Sequence, residues 1–198
     1  MMETRRIRGL WEREGDRGEL RFVFLDRDGV VNRKPPEGDY ITSWDRWEWL
    51  PGAAEAIAAL NQAGLTVLLA TNQRAIALGL LSEEGLAEIH SRMRAHLEQR
   101  GARLDGIYHC PHDRGQCRCR KPETGLFERA FRDFPAANPG NSVMIGDSLP
   151  DIEAGRRLGM KTVFVEGPAE RNKPGSVEAA RLAGAVVSSL VEAVGLLL

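Results

Sequence analysis

The chain has 198 residues, 42% of them hydrophobic, and a formal net charge of −1. That length suits one domain with a substantial core, and the near-neutral charge leaves no bulk electrostatic case for nucleic acid. No apolar run approaches the ~18 residues of a membrane helix, and Met1 to Arg8 carry charges without an apolar stretch, so a cytoplasmic protein is expected.

Residues 1–20 read as an N-terminal arm or an extra hairpin strand, and 21–198 as a single domain. Phe22 to Leu25 is an apolar run of the kind that forms a buried strand. It leads straight into Asp26-Arg27-Asp28-Gly29. Carboxylates at the end of a buried strand need partners, because an unpaired buried charge costs several kcal/mol or shifts its pKa. In open α/β sheets, ligands bind at the carboxyl ends of strands. Of two such acids, one can attack phosphorus and the other can move the protons. The alternative is a strand-end turn with a solvated second Asp.

Residues 33–50 are expected as a loop, broken by Pro35-Pro36 and Gly38. Tyr40, Trp44, Trp47 and Trp49 either pack this loop onto the domain or wall a substrate pocket. Pro51 marks a helix start, and Ala53 to Ala63 reads as a helix ended by Gly64. Leu65 to Ala70 is a second buried strand, running into Thr71-Asn72-Gln73. Thr71 and Asn72 offer a hydroxyl and backbone N–H groups to a phosphate oxygen. A helix follows from Ser82, its N-cap, to about Arg100. Leu104 to His109 is a third strand and Glu123 to Phe134 a helix. Ser142 to Ile145 is a fourth strand, Ile152 to Leu158 a helix, Lys161 to Val165 a fifth strand, and Ala185 to Val187 a sixth, with a terminal helix beyond it. Strands alternating with helices predict a doubly wound parallel sheet, Rossmann-like and covered on both faces.

Four polar clusters each fall just after a strand, and loops gathered on one sheet edge make a site. All three cysteines, Cys110, Cys117 and Cys119, lie in one ten-residue window with His112. Three thiolates and an imidazole form a closed tetrahedral zinc set of the structural type. Free thiols or a disulfide are the alternatives. The loop so pinned leads to Lys121, one of only four lysines (34, 121, 161 and 173). A fixed ammonium there can stabilise a phosphoryl group in flight. Asp147 ends the fourth strand and, with Asp26, suits Mg²⁺, which takes one or two carboxylates plus water and phosphate. Asp151 can orient Lys121, or simply occupy the first turn of a helix, where the dipole favours it.

These motifs, Asp26-x-Asp28-Gly29-Val30-Val31-Asn32, Thr71-Asn72-Gln73, Cys-x-His…Cys-x-Cys-Arg120-Lys121-Pro122 and Gly146-Asp147-x-x-x-Asp151, resemble the haloacid dehalogenase superfamily. More closely they are similar to its small zinc-containing phosphatases, which act on heptose bisphosphates or histidinol phosphate. The resemblance covers roughly residues 21–190. It implies Asp26 as nucleophile and Asp28 as general acid/base. It implies Mg²⁺ on the Asp26 side chain, the Asp28 carbonyl and the Asp147 side chain. Thr71, Asn72 and Lys121 would hold the phosphate, Arg120 the substrate, and Cys110, His112, Cys117 and Cys119 the zinc. The enzyme would be capless, a monomer or weak homo-oligomer acting on a small phosphorylated substrate.

The chain departs from that pattern in three places. Arg74-Ala75 stands where heptose phosphatases usually have Ser-Gly, Leu78 where they have Arg, and the zinc loop is short. The expectation is removal of the 7-phosphate of D-glycero-D-manno-heptose 1,7-bisphosphate, with Arg74 replacing the missing arginine. Histidinol phosphate is the alternative, with Glu37 or Asp39 as an acidic wall. A non-catalytic zinc-stabilised binding module is the alternative outside catalysis.

Overall fold

The computed structural model describes residues 19–167 and 174–198. The expected arm, up to residue 18, lies outside the described residues. Six parallel strands form one sheet: β1 (Phe22–Leu25), β2 (Thr66–Asn72), β3 (Gly106–Cys110), β4 (Ser142–Gly146), β5 (Lys161–Val165) and β6 (Ala185–Val187), in the order β3-β2-β1-β4-β5-β6. The chain builds outward from β1 to β3, then returns to the other side of β1. The carboxyl ends of β1 and β4 therefore meet at the topological switch point, where such sheets bind ligands.

Seven helices cover the sheet among the described residues: α1 (Ala53–Gln62), α2 (Arg74–Ala77), α3 (Glu83–Glu98), α4 (Gly125–Asp133), α5 (Leu149–Leu158), α6 (Ser176–Leu182) and α7 (Leu190–Leu197). Alternation within β1 decides the two cores. Val23 and Leu25 face α1, α3 and α7, packing with Ile57, Met93 and Ala193. Phe22 and Phe24 face α4, with the Phe24 and Phe127 rings 5.1 Å apart. Both faces of the sheet are thus apolar, as a doubly covered parallel sheet requires.

The structure corrects several boundaries. β2 continues to Asn72, so Thr71 and Asn72 are strand residues rather than a turn. β3 starts at Gly106, and α5 starts three residues early, at Leu149. The short helices α2 and α6 were not anticipated. Pro51 lies in a turn; α1 starts behind Gly52, whose φ of +72° needs glycine. The tryptophans pack onto the body: Trp44 stacks on Trp47 at 5.3 Å and Trp49 on His96 at 4.5 Å. No helix of the described residues is long and apolar enough to cross a membrane.

Candidate active site

Asp26 follows β1 and is held by the sheet itself, its N–H donating to the Ile145 carbonyl at 2.9 Å. Its carboxylate meets Lys121, whose Nζ lies 2.9 Å from Oδ1. Burial pushes the Asp26 pKa up. The Lys121 and Lys34 ammoniums outweigh it and bring the group below the ordinary carboxylate value.

Lys121 is 3% exposed and has three oxygen partners. Its Nζ donates to Asp26 and to the Ala70 carbonyl at 2.5 Å, and lies 2.6 Å from Asp151 Oδ1. Burial acts to lower the lysine pKa, but Asp151 and Asp26 together raise it, so the ammonium stays charged. Asp151 fills both roles the sequence allowed. Its Oδ2 accepts from the Ser148 N–H at 3.0 Å and the Ser148 hydroxyl at 2.5 Å, capping α5, while Oδ1 faces Lys121. Gly146 is needed here, since a Cβ on it would stand 2.3 Å from the Asp151 Cβ.

Asn72 follows Thr71 at the end of β2. Its carboxamide clasps the backbone of Lys121, accepting from Lys121 N–H at 3.0 Å and donating to Lys121 C=O at 3.1 Å. A side chain committed to both backbone groups of one residue positions that residue rather than a ligand. Thr71 is 1% exposed, and its hydroxyl oxygen accepts from Gln73 Nε2 at 2.9 Å.

Asp28 is ringed by donors. Arg27 Nη2 reaches Oδ2 at 3.1 Å, Asn32 Nδ2 reaches Oδ1 at 2.9 Å, and Gln73 Nε2 reaches Oδ2 at 3.1 Å. Arg27 is itself 1% exposed, 3.4 Å from His90 Nε2 and over the Trp47 ring at 5.7 Å. Arg27, Asn32 and Gln73 had no assigned role in the sequence reading. Asn32 and Gln73 stood inside the motifs, and Arg27 between the two acids, but only the folded loop points all three at one carboxylate.

Asp147 ends the cluster from β4. One oxygen from each of Asp26, Asp147 and Asp151 falls within 4.8 Å of the others. Burial, with Asp26 and Asp151 nearby, pushes the Asp147 pKa up to about 7 despite Lys34. Gly29, at φ +99°, lets the β1 loop pass close: a Cβ there would sit 2.2 Å from Asp147 Oδ2. An all-oxygen, strongly anionic donor set of this kind fits a hard cation such as Mg²⁺, with the Lys121 and Lys34 ammoniums beside it.

The second polar cluster lies at the end of β3. The sulfurs of Cys110, Cys117 and Cys119 are 3.3–3.5 Å apart, and His112 Nδ1 is 3.4 Å from Cys119 Sγ and 3.7 Å from Cys110 Sγ. Tetrahedral coordination at about 2.3 Å places ligands roughly 3.7 Å from each other, so this set fits zinc. The cysteines are free thiols, not a disulfide. Burial opposes ionisation of Cys117, but hydrogen bonds from Cys119 and the Arg120 N–H draw its pKa down to about 7. His109 is engaged with Glu83 at 2.9 Å, away from this cluster.

Arg74 does not reach the acid cluster. It makes a two-point contact with Asp113, Nε to Oδ1 at 2.5 Å and Nη2 to Oδ2 at 3.1 Å, joining α2 to the cysteine loop. Arg120 donates to the His112 carbonyl at 3.3 Å and lies near the same Asp113.

Known proteins now bear on this arrangement. The HAD-hydrolase-like family model matches residues 118–193. A D-glycero-alpha-D-manno-heptose-1,7-bisphosphate 7-phosphatase of Mycobacterium bovis is 42% identical over 132 residues, 66% of this chain and 69% of the relative. A D-glycero-beta-D-manno-heptose-1,7-bisphosphate 7-phosphatase of Haemophilus ducreyi is 36% identical over 180 residues, 87% of this chain and 95% of the relative. The chain belongs to this family of HAD-like phosphatases. Among solved structures, the D,D-heptose 1,7-bisphosphate phosphatase of B. bronchiseptica complexed with magnesium and phosphate matches with a TM-score of 0.77 and 33% identity. That match covers 89% of this chain and 97% of the other. The phosphatase carries only a short 3₁₀ turn, Trp44–Arg46, as regular structure between β1 and α1, so no cap domain covers the site from that loop.

Proposed function

We propose that this phosphatase removes the 7-phosphate of D-glycero-D-manno-heptose 1,7-bisphosphate through a phosphoryl-aspartate. The observation that carries the reading is the joining of Asp26, Lys121 and Asp147 at the switch point of a chain 36–42% identical to heptose-bisphosphate 7-phosphatases.

In this reading an Asp26 oxygen attacks phosphorus as the ester P–O bond breaks. Asp28 donates a proton to the departing sugar oxygen. It then takes a proton from the water that attacks the phosphoryl-aspartate, releasing phosphate and restoring Asp26. Lys121, fixed by Asp151, Ala70 and Asn72, offsets the negative charge that builds on the phosphoryl oxygens. Thr71, behind Gln73, lines the same strand end. Asp26, Asp147 and the Asp28 carbonyl would hold Mg²⁺, which would supply electrostatic neutralisation of the phosphate. Cys110, His112, Cys117 and Cys119 would hold Zn²⁺ as a structural ion, with Cys119 two residues from Lys121. Arg120 takes the distal end of the substrate, with the Arg74–Asp113 pair as its rim. Histidinol phosphate has less support, because Asp39, half of its acidic wall, is already engaged with Arg46.

The test is phosphate release with Mg²⁺ from both heptose bisphosphate anomers, histidinol phosphate and common sugar phosphates. The heptose bisphosphate should give the highest kcat/KM, and Asp26→Asn should abolish turnover in a protein that still melts cooperatively. A preference for histidinol phosphate would overturn the substrate. An active Asp26→Asn would overturn the mechanism.

A further inference from the structure

Lys34 carries no expected role, yet its ammonium meets the acid cluster at Asp147, the carboxylate that Lys121 does not contact. The loop after β1 turns back because Arg33 N–H donates to the Glu48 carbonyl at 2.7 Å and Asn32 bridges both Asp28 and Trp49. That return carries the Lys34 side chain over the carboxyl end of β4. Its Nζ lies 2.9 Å from Oδ2 and 3.2 Å from Oδ1 of Asp147, 113 positions away. The Lys34 side chain is 30% exposed and that of Asp147 12%, so the pair is partly withdrawn from water.

Within the cluster Lys121 serves Asp26 and Asp151, and Lys34 serves Asp147. A divalent ion on Asp26 and Asp147 would need oxygens at about 2.1 Å and a shell of waters. An ammonium holding both oxygens of Asp147 is in the way of that shell and repels the ion by charge.

We propose that Lys34 is a positioning residue with a second effect: it holds Asp147 as a built-in counter-ion and competes with the divalent cation for it. The inference rests on the Mg²⁺ reading above. Magnesium must displace the ammonium from Asp147, so the protein holds the ion more weakly than its carboxylates alone would. In return the cluster stays neutralised, and the fold stable, at low Mg²⁺.

The experiment uses the full chain, desalted into Mg²⁺-free buffer without a strong chelator so that tightly held zinc is kept. Mg²⁺ binding is measured by calorimetry, and the thermal midpoint is followed with and without Mg²⁺. Lys34→Met should bind Mg²⁺ about fivefold more tightly at low salt, the gap narrowing as salt screens it. Its midpoint without Mg²⁺ should fall below that of the parent, and added Mg²⁺ should raise it further than it raises the parent. Lys34→Arg keeps the charge and should bind Mg²⁺ as the parent does. It also serves as the control should Lys34→Met fold poorly. Equal or weaker Mg²⁺ binding by a folded Lys34→Met overturns the inference while leaving the phosphatase reading intact. Absence of Mg²⁺ binding in both proteins overturns the metal assignment as well.

Discussion

The acid–lysine cluster at the switch point and the thiol–imidazole cluster at the end of β3 lie on either side of one stretch, Arg120-Lys121, and solve opposite problems. In the first, three carboxylates are drawn together and the chain itself brings two ammoniums to them, Lys121 and Lys34. In the second, three sulfurs and a ring nitrogen converge, and the donors around them are neutral backbone N–H groups such as that of Arg120. Ligands packed this closely gain little from each other. Their arrangement makes sense around an ion, which then becomes part of the fold. The fold therefore carries most of the counter-charge where chemistry is proposed, and in the proposed zinc reading would leave it to an ion where only rigidity is needed.

Removing the internal counter-charge should do the most damage. Lys121→Met leaves Asp26 and Asp151 buried beside each other without the ammonium that contacts them both, and breaking a buried pair costs about 3–5 kcal/mol. Urea unfolding should show a loss of that order, or no folded protein. A stability near that of the parent would mean that the carboxylates are neutralised by protonation.

The thiol cluster should respond to the ion instead. Elemental analysis should find one zinc per chain. Its removal, or Cys117→Ser, should lower kcat by about 10- to 100-fold, in line with other supporting-shell losses, and lower the melting temperature. The phosphotransfer residues are untouched by that change, so the effect would travel through the Cys119–Lys121 segment. Full activity in zinc-free protein would separate the two clusters.

His90 sharpens the comparison most gently. It lies beside Arg27, whose charge is already matched by Asp28. Burial and the Arg27 guanidinium lower its pKa to about 3. An unfolded histidine titrates near 6.5, so above that pH both states are neutral and no stability difference arises. As pH falls below 6.5 the unfolded chain binds a proton that the folded one refuses, and stability drops. Between pH 7 and pH 4.5 this amounts to roughly 2–3 kcal/mol. His90→Gln should lose about that much less over the same range in paired denaturant titrations. Parallel curves would mean that His90 protonates in the fold.

Much of this was legible in the chain because it is local. The strand cores, Ser82 as a helix N-cap, the cysteine window and the acids at strand ends all lie within a few residues of one another. Family resemblance then linked distant motifs. The missed parts are those that depend on where a side chain turns. The Asn72 carboxamide turns to the Lys121 backbone, 49 positions away. Arg74, at the start of α2, pairs with Asp113 in the cysteine loop, 39 positions away. Helix α6, only seven residues long, is held by tertiary packing, with Ala179 against Ile152 and Phe164 and with Ala180 and Leu182 beside them.

The sequence by itself determined the doubly covered parallel sheet, because hydrophobic runs and their spacing are properties of the chain. It determined which polar groups stand at the carboxyl edge of the sheet as well, since a strand end can present only the residues next to it. The tertiary structure alone decided which charges neutralise which. Lys34 and Asp147 are 113 positions apart, and Lys121 and Asp26 95. Only the return of the chain from β3 to β4 beside β1 places those ammoniums and carboxylates within 3 Å of each other, where Coulomb energy outweighs the loss of water.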